Sequence, residues 1–109
     1  DIYIKRCEVK FGPNNIMIMG NHMPGTSSTY LDFLVKQLSV VDVKVEFDGG
    51  DTIDHTFSVA FLNEVEARRV ELEFIVDRES NSIRLVALSL PGGGEEVLLK
   101  TIDGEDKDS

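Results

Sequence analysis

The chain has 109 residues, 41% of them hydrophobic, and carries a formal net charge of −9 at pH 7. That size suits one domain with its own core, and the composition is globular rather than disordered. No apolar run nears the roughly 18 residues of a membrane-spanning helix, no basic stretch leads into an apolar segment and cleavage site, and the negative field disfavours phosphate backbones.

The first segment, "IYIKRCEVKFGPNNIMIM", predicts a β-hairpin. Gly12-Pro13-Asn14-Asn15 is its turn, and both arms are rich in β-branched or aromatic residues. The second arm runs into "IMIMGNHM", which holds Met17, Met19, His22 and Met23, with Cys7 on the arm before it. Residues two apart on a strand share a face, so Met17 and Met19 stand side by side. With His22 or Cys7 they offer soft ligands suited to Cu(I) or Ag(I). Against that, both faces of the segment are apolar, as in a strand covered on both sides, and methionine is a common core filler. A third reading takes His22-Met23 as the trace of a cloning site, which makes residues 1–21 a fused segment. Structure ranks first, junction second and metal third.

"TSSTYLDFLVKQL" predicts one buried helix over about residues 27–38. Ser27 and Ser28 suit an N-cap after Pro24-Gly25, and Leu31, Leu34, Val35 and Leu38 fall at helical spacing. Asp32 and Lys36 form an i,i+4 pair. Tyr30 and Phe33 widen the apolar surface, so the helix is expected to pack across a sheet.

An antiparallel meander follows. In "VVDVKVEFD", Val41, Val43, Val45 and Phe47 alternate with Asp42, Lys44, Glu46 and Asp48, the mark of a strand with one wet face. Gly49-Gly50 make a turn. "HTFSVAFL" places His55, Phe57, Val59 and Phe61 on one side; after a turn near Asn63–Arg69, "RVELEFIVD" repeats the alternation through Val70, Leu72, Phe74 and Val76. "IRLVALSL" and the stretch Val97 to Ile102 complete five strands, and residues 103–109 read as a disordered acidic tail. The expected architecture is a single α+β domain over 1–102: an antiparallel meander, an N-terminal hairpin and one buried helix on the sheet.

Candidate chemistry is sparse. Asp48, Asp51 and Asp54 with His55 could hold a divalent cation or orient a general base, but their spacing matches no EF-hand and aspartates beside Gly-Gly commonly serve the turn. Cys7 is expected to face the core rather than act as a thiolate, and no nucleophile elbow, phosphate loop or dinucleotide fingerprint is present. The chain is therefore expected to be no enzyme and to need no cofactor. A single cysteine and the lack of a glycosylation sequon favour an intracellular setting, cytoplasmic or nuclear.

The informative anomaly is a surplus of apolar residues. Val86, Leu88 and Leu90 stand on the face opposite Ile83, Leu85 and Ala87, and Leu62 and Ile75 likewise oppose their strands' main stripes. Such faces need cover, from the N-terminal hairpin or else from a second copy or a protein partner. The expected function is a non-enzymatic interaction or assembly module in a homo-oligomer or larger complex, with Leu62, Ile75, Val86, Leu88 and Leu90 as its contact surface. The alternatives are a small metal- or ligand-binding protein and an acidic chaperone for basic proteins. Charge bears on the last: residues 1–40 sum to +1 and residues 41–109 to −10, so a basic partner is favoured.

Overall fold

The period-two segments become two antiparallel sheets that face each other across one core. The computed structural model describes residues 3–11, 16–18, 23–34, 39–65, 69–89 and 95–107; at 16, 24, 26–34 and 69 the description is of the backbone. In chain order the strands are β1 (Tyr3–Lys10), β2 (Ile16–Ile18), β3 (Met23–Pro24), β4 (Thr26–Leu34), β5 (Val40–Phe47), β6 (Thr52–Ser58), β7 (Arg69–Asp77), β8 (Ser82–Ser89), β9 (Val97–Asp103) and β10 (Glu105–Asp106). Sheet A runs β10-β6-β5-β1-β2, with β3 also on β1; sheet B runs β4-β7-β8-β9.

The expected buried helix is not there, so the α+β assignment gives way to an all-β architecture. Thr26–Leu34 is strand β4, paired antiparallel with β7 from Thr26↔Asp77 to Leu34↔Arg69, and residues 35–38 lie outside the described residues. Leu31 and Leu34 do fall at helical spacing. But "TSSTYLDFL" is rich in Thr, Tyr and Phe, residues that fit a pleated surface, and nine consecutive long-range pairs outweigh a weak local preference. The one helical element among the described residues is a 3-10 turn, Ala60–Glu64, and no described helix is long and apolar enough to cross a membrane.

That turn divides the expected meander between two sheets. Strand β6 ends at Ser58, and the 3-10 turn carries the chain across to sheet B, closed by Leu62 N–H to Val59 O at 3.0 Å and Val65 N–H to Leu62 O at 3.2 Å. Inward-facing residues of both sheets then meet: Val41, Val43, Val45, Phe47 and Phe57 from sheet A against Val70, Leu72, Phe74, Val76, Ile83 and Leu85 from sheet B. Phe57 meets Phe74 edge to face, ring centroids 6.0 Å apart.

The predicted hairpin is present as β1 with β2, in the register Glu8↔Ile18, Val9↔Met17, Lys10↔Ile16. β1 lies inside sheet A and contributes fully buried Ile4, Cys7 and Val9. Ile4 and Cys7 are three apart yet both point inward, because a bulge between Ile4 and Arg6 inserts an extra residue against β5 and restores the alternation. The expected acidic tail is tied down as far as Lys107. Gly104 N–H bonds Ile83 O at 2.9 Å on sheet B, and from the next residue β10 pairs with β6 on sheet A. Lys107 N–H then bonds Asp54 O at 3.0 Å, and its Nζ lies 3.4 Å from Asp42. The C-terminal segment thus bridges both sheets.

Candidate functional site

The sequence points to three places, and their geometries differ. The Met/His segment is the first. Met17 and Ile18 sit on edge strand β2 and are exposed, rather than covered on both sides, while Met19 and His22 lie outside the described residues. Among the described residues no group of three or more His, Cys, Asp or Glu side chains is placed to hold a metal ion. Cys7 is buried in the core. Burial pushes its thiol up to about 11, and the Glu8 carboxylate adds to the rise, so the thiolate needed for attack or soft-metal binding is disfavoured near neutral pH.

The second place is the acidic turn. Asp48–Gly50 cap the β5–β6 hairpin, Gly50 takes φ +96°, and Gly50 N–H bonds Phe47 O at 2.9 Å. Beside it opens a polar cleft of ≈ 340 Å³, lined by Asp51, Asp54, His55, Arg78, Asn81 and Asp106 among others. Its cation is already engaged. Arg78 contacts Asp51 at 2.7 Å and Asn81, its guanidinium stacks 5.2 Å from the Phe47 ring centroid, and its backbone N–H bonds Gly25 O at 3.1 Å.

His55 is the one buried polar side chain of the described core. Its Nε2 lies 3.1 Å from Asp106 Oδ1. An ionised carboxylate can only accept, so Nε2 carries the proton and donates. That leaves Nδ1 as the ring's only base. Nδ1 is sealed from solvent with no partner among the described residues, under Gly104, where a Cβ would fall 2.6 Å away. A general base must reach the proton it takes. His55 has the carboxylate of a catalytic pair and the wrong nitrogen exposed to it. Its visible work is to fasten β10 to β6.

The third place is the outer face of sheet B. Inward Leu72, Phe74, Leu85 and Ala87 leave Glu71, Glu73 and Ile75 of β7, and Arg84, Val86 and Leu88 of β8, on the other side. Ile75, Val86 and Leu88 are half-buried. Leu62 does not join them. The 3-10 turn swings it into the core, fully buried, and Leu90 lies outside the described residues. The surface gains instead a residue that sequence reasoning missed. Leu98, 60% exposed, pairs directly with Leu88 from β9. A bulge in β9 opposite Ala87/Leu88 shifts its alternation, so Leu98 and Thr101 both come to the outer face. The signal lay in "VLLK", where three successive apolar residues cannot all face one core.

Carboxylates edge this stripe. Glu73 stands opposite Val86, Glu71 opposite Leu88, and Glu96 adjoins the exposed end at Val97 and Leu98. The face's Arg84 is paired with Asp103 at 2.9 Å. The arrangement offers apolar contact area beside carboxylates. Compared with known protein families, curated proteins and solved structures, the chain matches none.

Proposed function

We propose that the protein is a non-enzymatic interaction module whose contact surface is the outer face of sheet B. One observation carries the reading: Ile75, Val86, Leu88 and Leu98 stand on one face of a sheet whose other face already fills the core, with Leu98 directly opposite Leu88. Apolar surface of this kind on a soluble domain marks a place of association, where burial is favourable by about 25 cal/mol per Å². The stripe lies on strands held by a packed core, so it is presented rigidly and needs little ordering on contact.

The test is the double substitution Val86→Ala with Leu88→Ala, read by sedimentation and by recovery of bound protein at matched concentration. Both side chains are half-buried and outward, so circular dichroism and thermal midpoint should change little while association weakens. An unchanged oligomer together with unchanged partner recovery would remove this face from the account.

A further inference from the structure

Resting on that contact-surface reading, we infer that the occupant of the sheet B face is a basic amphipathic helix of a partner protein. The shape comes first. Ile75, Val86 with Leu88, and Leu98 lie on three successive strands, β7, β8 and β9, so the stripe crosses two strand spacings, about 10 Å. That is the width of one α-helix, and a helix laid on a sheet face is a standard way to cover it.

Charge then selects the helix. Glu73 flanks the stripe on the β7 side and Glu96 stands at its β9 end, while Arg84 and Asp103 are bound to each other and add no net charge. A helix with apolar residues along one face and Lys or Arg on the flanks meets the stripe and its rim together. A second copy of this chain brings the same carboxylates and a net charge of −9 to the same edge, which opposes self-pairing across this face.

The test uses three synthetic helical peptides: leucine with lysine flanks, leucine with glutamate flanks, and lysine flanks with serine in place of leucine. Amide spectra of the full chain report where each one binds. The leucine–lysine peptide is expected to shift Val86, Leu88 and Leu98. Its affinity should fall roughly tenfold between about 0.01 and about 0.15 M salt, as the screening length shrinks from about 30 to about 8 Å. Glu73→Lys should weaken it by a similar factor with no loss of fold, since Glu73 faces outward.

Equal binding of the leucine–glutamate peptide, equal binding of the serine peptide, or shifts confined to the His55 cleft would each overturn the inference. If the chain self-associates through Val86 and Leu88 but ignores the lysine peptide, the basic helix is wrong and the contact surface stands. If it does neither, both fall.

Discussion

The outer faces of the two sheets solve the same problem differently. On sheet A, charges of opposite sign stand opposite one another across β1, β5 and β6: Arg6 against Glu46, Glu8 against Lys44 and Lys44 against Asp54, Lys10 against Asp42. Some of these carboxylates form ion pairs with other neighbours: Lys5 lies 3.5 Å from Glu46, Arg6 2.8 Å from Glu8 on its own strand, and Lys107 3.4 Å from Asp42. On sheet B the corresponding positions hold Ile75, Val86, Leu88 and Leu98 with carboxylates around them. Paired charges cover most of the first face, which also exposes Ile18 on β2 and Val40 on β5 at its margins. The other sets apolar side chains beside Glu71 and Glu73, the arrangement on which the proposed contact surface rests. Since both faces belong to one chain in one solvent, the difference cannot come from composition or environment. It comes from which residues each sheet turns outward.

The sharpest way to expose that contrast is to make the same substitution at two leucines that the sequence places on one surface. Leu62→Ala empties space in the core, where the side chain is fully buried, and should cost about 2–5 kcal/mol in urea unfolding. Leu88→Ala removes a half-buried outward side chain and should cost about 1 kcal/mol or less, while weakening association. If the two cost the same stability, Leu88 is core and the sheet B face is not open.

Why Leu62 misled is instructive. Alternation from His55 to Phe61 is real, but it continues past Ser58, where the strand ends and a 3-10 turn takes over. Period two reports a face only while the backbone remains extended. The strands themselves were legible: β5, β7 and β8 lie within a residue or two of where alternation puts them, because half-buried strands must alternate. Thr26–Leu34 was not, since apolar residues three and four apart satisfy a helix template and its pairing with β7 lies some forty residues away, beyond any local window. The C-terminal "DGEDK" reads as solvated for the same reason. Its anchors, Ile83 O, His55 and Asp54 O, are supplied by distant strands.

The closed character of sheet A can be probed from beneath through Cys7, which lies under the paired charges. Its folded thiol is raised to about 11 from the model-compound value of 9.0, burial being the larger cause and Glu8 the smaller. The unfolded chain therefore releases this proton first. Ionisation of Cys7 leaves stability unchanged well below pH 9, and stability should decline as pH rises from 9 towards 11, by at most about 3 kcal/mol. Cys7→Val keeps the site apolar and removes the ionisable proton, so it should flatten that part of the alkaline unfolding curve. A decline of equal size in Cys7→Val would mean that other groups cause it and that the thiol is not sealed.

The smallest effect tests the charge pattern itself. Lys44 stands between Glu8 and Asp54 on neighbouring strands, so Lys44→Glu would put three carboxylates in a row across sheet A. Cross-strand pairs are worth about 0.2–1 kcal/mol and exposed ion pairs seldom more, so the loss should be about 1 kcal/mol. It should shrink as salt is added, because exposed charges are screened. Partner binding should not move. Glu73→Lys on sheet B is the mirror experiment: little change in stability, and binding weakened. The sheet A face would then be a surface built for water, where charge reversal is read in folding, and the sheet B face one where the same reversal is read in association. If Lys44→Glu also disrupts binding, the distinction between the two faces fails, and the partner must reach across both sheets.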